Sequence, residues 1–362
     1  MKPAEPVAAQ KPLVLIVDDT PENITLMNGL LKDRYRTRIA TNGERALQGA
    51  AQVPQPDIVL LDVMMPGMDG YEVCRRLKAD PATHGIPVVF LTAKSQVEDE
   101  QRGFDAGAVD YITKPISPPI VLARVHTHLT LKAEHERAEK LLLNVLPAAI
   151  AERLKREAVT IADAAEEVTV VFADLVGFTP LAAGRSPADL VRLLDDIFTA
   201  FDGCAAECGI EKIKTVGDAY VAVAGLPIAR ADHAGAAARF ALGLLDAIAK
   251  YNAAHAMALR LRIGIESGPV VAGVIGTHKF SYDLWGDTVN AAARMESNSE
   301  PDRIQVAEHA ARLLERDFIL EPRGEIDVKG KGRMRTWWLT GSRSPRSDPA
   351  ARVAATQSAP TS

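Results

Sequence analysis

Leu13-Val-Leu-Ile-Val-Asp-Asp19 is the first ordered figure in this sequence. Five apolar residues that stop abruptly on two carboxylates read as a strand buried on both faces. The figure repeats. Asp57–Leu61 runs into Asp62, Pro87–Leu91 into Thr92, and the shorter Tyr111-Ile112 is followed by Lys114-Pro115. Amphipathic stretches such as Glu22–Asp33 and Tyr71–Ala79 fill the gaps as helices. Strand and helix in alternation predict an α/β domain with a doubly wound parallel sheet. Ligands of such sheets bind outside the carboxyl ends of the strands, where Asp18, Asp19, Asp62, Thr92 and Lys114 all fall. Three gathered carboxylates repel one another unless a cation joins them, and a hard divalent ion with oxygen ligands fits.

The chain has 362 residues, enough for two domains and their connections. A hydrophobic fraction of 47% and a charged fraction of 25% are those of globular proteins. The net charge of −5 supplies no basic footprint for nucleic acid, so no such partner is expected. No apolar run is long enough for membrane insertion, and Met1–Pro12 has no apolar signal core. Cys74, Cys204 and Cys208 suggest neither a disulfide framework nor a zinc site, so a cytoplasmic home is expected.

The first third resembles the receiver domain of bacterial response regulators, over about Lys11 to Leu131. The Asp18-Asp19 pair, Asp62-Val-Met-Met-Pro-Gly-Met-Asp-Gly70, Thr92-Ala-Lys94 and Lys114-Pro115 carry the resemblance. It implies that Asp62 accepts a phosphoryl group from a histidine kinase and that Asp18, Asp19 and Asp62 hold Mg²⁺. Thr92 and Lys114 would then contact the phosphoryl oxygens, and Tyr111 would be the switch aromatic. A carboxylate nucleophile beside Mg²⁺ and a lysine suits phosphoryl transfer. The segment from Pro118 to Glu157 is helical by pattern. Leu131, Ala138, Leu141 and Val145 hold a broken heptad spacing, which predicts a parallel coupling helix joining two protomers. Pro147 ends or kinks it.

From Val168 the strand pattern returns. Val168–Ala173 ends in Asp174, followed by Leu-Val-Gly-Phe-Thr179. There Gly177 lets the backbone approach an anion. Ala188–Cys208 and His233–Ala254 read as helices. Glu211–Val216 and Ala219–Ala224 read as a hairpin around Gly217-Asp218, and Leu259–Glu266 with Val270–Ile275 as a strand pair around Ser267-Gly268. This mixture predicts an α+β sandwich with one sheet face covered by helices. Asp283-Leu-Trp-Gly-Asp-Thr-Val-Asn-Ala-Ala-Ala-Arg294 reads as a strand end, a turn at Gly286 and a helix with Asp287 or Thr288 as N-cap. Asn290 and Arg294 share one face of that helix. An amide there can fix a ribose, a guanidinium can meet a phosphate, and the Asp283 carboxylate can accept from a base amino group. Asp174 and Asp218 near strand ends suggest a two-metal site for nucleotide chemistry. Gly268–Gly273 has the glycine spacing of a phosphate loop but lacks the Lys-Ser/Thr that such a loop needs.

The second half, about Glu166 to Leu339, resembles the class III nucleotide cyclases. The motifs are Phe172–Thr179, Lys212–Tyr220, Arg262–Gly268, Tyr282–Arg294 and Val328–Gly332. The resemblance implies a ferredoxin-like α+β domain and two Mg²⁺ or Mn²⁺ ions at Asp174 and Asp218, with the Leu175 carbonyl assisting. Lys214 and Asp283 would read the purine, Asn290 orient the ribose and Arg294 stabilise the α-phosphate. Arg262 and Lys329 would bind the triphosphate, with Lys331 as the alternative to Lys329, and Phe178 and Thr179 would lie against the substrate. It further implies a homodimer with sites shared between protomers, each site taking ATP. A guanylate cyclase and a non-catalytic dimeric adaptor are the rival readings. The domain bounds expected are a disordered tail over 1–11, a receiver over 12–130, a helical coupling linker over 131–165, a cyclase domain over 166–342 and a disordered tail over 343–362.

Overall fold

The computed structural model describes residues 11–93, 97–156, 161–276, 280–328 and 330–343. Most of both expected tails, together with Lys94 and Lys329, lies outside the described residues, as do the side chains of 97–100 and Thr179. Two compact units divide between Leu141 and Leu142.

In the first unit, β1 (Leu13–Val17), β2 (Arg36–Ala40), β3 (Ile58–Asp62), β4 (Val88–Thr92) and β5 (Asp110–Thr113) form a parallel sheet in the order β2-β1-β3-β4-β5. Helices α1 (Pro21–Leu31), α2 (Gly43–Ala51), α3 (Gly70–Ala79), α4 (Val97–Asp105) and α5 (Pro118–Leu143) alternate with the strands. Alternate residues of one strand face opposite cores. Leu15 and Val17 pack with Ala46 and Val73 of α2 and α3, while Val14 and Ile16 pack with Met27 and Val125 of α1 and α5. Helices on both faces explain why β1, β3 and β4 are buried at every residue. The order reverses between β1 and β3, so Asp18, Asp19 and Asp62 gather at the switch point. Gly70 folds α3 back onto β3: a Cβ there would stand 2.3 Å from the Asp62 carbonyl oxygen.

The second unit begins with α6 (Ala148–Arg156), and its first strand, β6 (Ala162–Val176), starts inside the stretch 131–165 expected to be a helical linker. Then come α7 (Phe178–Ala183), α8 (Pro187–Cys208), β7 (Glu211–Val216), β8 (Ala219–Ala224), α9 (His233–His255), β9 (Arg260–Ile275), β10 (Ser281–Trp285) and α10 (Asp287–Ser297). The unit closes with β11 (Arg303–Ala307), α11 (Glu308–Leu314), β12 (Phe318–Val328) and β13 (Gly332–Ser342). The sheet order is β12-β13-β11-β9-β6-β8-β7, with β10 paired to β9. Ser186 caps α8 by accepting from the Asp189 N–H, and Gly209 ends it in the left-handed conformation.

Three expectations are corrected here. The segments Leu259–Glu266 and Val270–Ile275 are one strand rather than a hairpin. β9 runs unbroken along β6 from Val176↔Arg260 to Ala162↔Gly273. Gly268, at φ +150°, bends the strand, and β6 answers with a register shift between Ala165 and Val168. The sheet also carries helices on both faces. Against α8, α9 and α11 lie Val171, Ala173 and Ile263, whereas Val168, Val170 and Ala272 of the other parity pack with Ile150 of α6 and Ala292 of α10. Finally, Gly286 is the N-cap residue of α10, since the Thr288 hydroxyl donates to the Pro269 carbonyl instead. Among the described residues no helix is long and apolar enough to cross a membrane.

Candidate functional site

At the carboxyl end of the parallel sheet, Asp18, Asp19 and Asp62 bring carboxylate oxygens within 4.8 Å of one another. Asp18 is fully buried, held by the Thr20 N–H at 2.9 Å and by the Asn23 amide at 3.0 Å. The Lys114 ammonium lies 3.0 Å from both Asp18 and Asp62. Burial pushes the Asp62 carboxyl up, against the pull of Lys114. Burial also works against the Lys114 charge, but the bonds to Asp62 and Asp18 outweigh it and raise the lysine. Thr92 is buried at the end of β4, and Tyr111 on β5 meets Phe104 edge-on at 6.2 Å. An all-oxygen donor set with one cation already drawn into it fits Mg²⁺.

In the second unit Asp174 lies on β6 and Asp218 in the β7–β8 turn, where Gly217 takes φ +64°. Asp174 pairs in register with Ala219, the neighbour of Asp218, so the two carboxylates meet at one end of the strands. Burial, then the charge of Asp174, pushes the Asp218 carboxyl up. A guanidinium completes the cluster. Arg262 Nη2 on β9 lies 2.6 Å from Asp174 Oδ2 and 3.2 Å from Glu296 Oε1 of α10. Burial, then the charge of Asp174, pushes the Glu296 carboxyl up to about 7. Two carboxylates beside the Leu175 backbone fit a hard divalent cation. Sequence reasoning missed Glu296, because only burial separates it from an ordinary surface glutamate.

The expected base readers meet: Lys214 of β7 and Asp283 of β10 form an ion pair at 2.5 Å. Leu284 N–H donates to the other carboxylate oxygen of Asp283, fixing its plane. Asn290 and Arg294 are exposed on α10. At about 100° per residue, Glu296 stands about 200° round the helix from Arg294, so one face meets Arg262 and the other meets solvent. Phe178 packs its ring against the core, leaving its backbone for any substrate contact. Lys331 pairs with Asp287 at the start of α10.

Gly264 sets how near α10 comes to β9. A Cβ there would lie 2.0 Å from the Glu296 nitrogen and 2.4 Å from the Ala292 oxygen. Both are backbone atoms that cannot swing away. Gly264→Ala is expected to cost about 3 kcal/mol or more, read as a lowered urea midpoint of the second unit's unfolding. An unchanged midpoint refutes the close approach.

Residues 161–341, half of the chain, match the family model of the adenylate and guanylate cyclase catalytic domain. Residues 14–126 match that of the response regulator receiver domain. The chain is 50% identical over 220 residues to an adenylate cyclase of Mycobacterium tuberculosis, covering 60% of this chain and 49% of that protein. It is 43% identical over 213 residues to the receptor-type guanylate cyclase gcy-28 of Caenorhabditis elegans, covering 58% and 17%. It thus spans about half the length, or less, of these curated relatives. The crystal structure of the guanylate cyclase domain of RhGC from Catenaria anguillulae, in complex with GTP, is similar at 37% identity and a TM-score of 0.49, over 50% of this chain and all of that one. By the match over half its length, the chain belongs to the adenylate and guanylate cyclase catalytic domain family, with a response regulator receiver domain preceding that domain.

Proposed function

We propose that the chain is an adenylate cyclase that converts ATP to cyclic AMP and pyrophosphate at sites shared between two copies, under control of phosphorylation at Asp62. The observation that carries the substrate reading is the Lys214–Asp283 pair, a donor beside an acceptor. The observation that carries the shared site is the division of α10 between a face buried at Ala292 and Met295, beside which Glu296 meets Arg262, and an exposed Asn290 and Arg294 face.

In this reading Asp174, Asp218 and the Leu175 carbonyl hold two Mg²⁺ or Mn²⁺ ions. Bound there, such ions supply a Lewis acid that lowers the pKa of the ribose 3′-hydroxyl and neutralises phosphate oxygens. Lys214 and Asp283 hold the adenine edge, and Asn290 fixes the ribose so that its 3′-oxygen lies in line with the α-phosphorus. The 3′-hydroxyl gives up its proton to solvent, its oxygen forms a bond to that phosphorus as the bond to the bridging oxygen breaks, and pyrophosphate leaves with the bonding pair. Arg294 donates to the charge developing on the α-phosphate oxygens. Arg262 and Lys329, or Lys331 in its place, hold the triphosphate.

The test is the pure protein with Mn²⁺ and either ATP or GTP, assayed for cyclic nucleotide. Cyclic AMP formation is expected, and none from either substrate rejects an enzyme in favour of a dimeric adaptor. In the receiver, Asp18, Asp19 and Asp62 would hold Mg²⁺ while a histidine kinase supplies the phosphoryl group. Full phosphorylation of Asp62 is expected to change the cyclase rate, and Asp62→Asn to abolish the response. An equal rate with and without phosphate on Asp62 reduces the receiver to a docking module.

A further inference from the structure

Arg262 sits between two carboxylates but satisfies only one. Its Nη2 bonds to Asp174 at 2.6 Å, while Glu296 Oε1 lies at ion-pair distance, 3.2 Å, without hydrogen-bond geometry. Arg262 Nε and Glu296 Oε1 are both buried, and neither has a hydrogen-bond partner among the described residues. A buried donor and a buried acceptor left without hydrogen bonds are costly, since each has lost water and gained no hydrogen bond in exchange. The Arg262 hydrogen bond goes instead to Asp174, the carboxylate read above as a metal ligand.

We propose that Glu296 is a positioning residue that receives Arg262 when a divalent cation takes Asp174. Arg262 pairs with Asp174 at 2.6 Å and offsets its charge. A cation arriving at Asp174 displaces the guanidinium, which turns onto Glu296 and satisfies both unpaired atoms. The swap breaks no covalent bond. Two consequences follow from its electrostatics. Arg262 competes with the cation for Asp174, so cation affinity depends on how well the displaced guanidinium is received. Once docked on Glu296, Arg262 has a fixed direction instead of lying across the metal carboxylate. Glu296 is half-buried on α10, so the exchange ties cation binding to the helix that carries Asn290 and Arg294.

The proposal rests on reading Asp174 as a cation ligand, and the experiment separates the two. Mn²⁺ alone is titrated into the full chain by isothermal calorimetry. The component of binding that Asp174→Asn removes belongs to this site; if Asp174→Asn removes none, the ligand reading fails and the exchange with it. For that component, Glu296→Gln is expected to weaken affinity about tenfold, the worth of one lost charge-assisted bond. In an Arg262→Gln background the same substitution is expected to change affinity less than twofold, because no guanidinium remains to be received. A tenfold loss in both backgrounds means that Glu296 acts only as a nearby negative charge, and overturns the exchange. An unchanged affinity in the Arg262 background and in the natural one also overturns it. Should Glu296→Gln fail to fold, Glu296→Asp keeps the charge one methylene shorter. A loss of about threefold is then expected, and none counts against the proposal.

Discussion

Asp218→Ala and Arg294→Ala are each expected to be nearly inactive alone, yet to regain about a quarter of the unmodified rate when mixed. The reason is the placement of the two residues. Asp218, in the β7–β8 turn, lies with Asp174 of β6 and Arg262 of β9, whereas Arg294 projects to solvent from the far side of α10. If a site takes its carboxylates from one copy and its arginine from another, a two-fold dimer has two such sites. Half of the dimers in an equal mixture pair one variant with the other. In each of these, one site has lost both residues and the other keeps both, hence about one quarter. Each single variant is expected to lose about a hundredfold or more, the usual effect of removing a preorganised donor or a metal ligand. The measurement is the cyclic AMP rate after the two proteins have been incubated until their subunits exchange. A mixture that exchanges but stays at the single-variant rate shows that the site is built within one chain.

The sequence made the centre of each fold visible and its margins less so. β1, β3 and β4 are buried on both faces and appear as bare apolar runs. β2 does not, because Arg36-Thr-Arg-Ile-Ala40 is an edge strand whose first four residues all reach water. β9 misled for a physical reason. Ser267-Gly268 has turn composition, but neighbouring β6 shifts register at the same level and lets a glycine bend pass within one strand. The second helical layer was also hidden, since α6 and α10 are short and half polar, and only their packing on Val168, Val170 and Ala272 shows what they cover. In the site, residue types that meet through opposite charge were legible: Lys214 with Asp283, and Lys114 with Asp18 and Asp62. Arg262 was assigned to triphosphate from resemblance, and the structure holds it on Asp174 beside Glu296. That contact joins β6, β9 and α10, and no local pattern encodes a meeting of three such distant segments.

The unmodified protein is expected to favour ATP over GTP by at least about a hundredfold in kcat/KM, and Lys214→Glu with Asp283→Cys to reverse that order. Adenine offers a 6-amino donor and an N1 acceptor; guanine offers a 6-oxo acceptor with N1–H and 2-amino donors. An ammonium such as that of Lys214 donates and a carboxylate such as that of Asp283 accepts, so together they complement adenine at both points. They are already side by side at 2.5 Å, and the side chain of Asp283 is only 20% exposed. A guanine entering would set its 6-oxo group or its N–H groups against the wrong partner and leave a partly buried charge unpaired. Resemblance to the cyclases supplies the replacement pair, since guanylate-specific members carry an acid at the position of Lys214 and a small residue at that of Asp283. The order of substitution matters. Lys214→Glu alone places two carboxylates where an ion pair stood, so it is expected to lose activity on both nucleotides. Adding Asp283→Cys removes the repulsion and opens room for the 6-oxo group, so GTP turnover is expected to appear only in the double variant. Rates of cyclic AMP and cyclic GMP formation across the four proteins decide it. Equal turnover of both nucleotides by the unmodified chain sinks the assignment of Lys214 and Asp283 as base readers, whatever the double variant does.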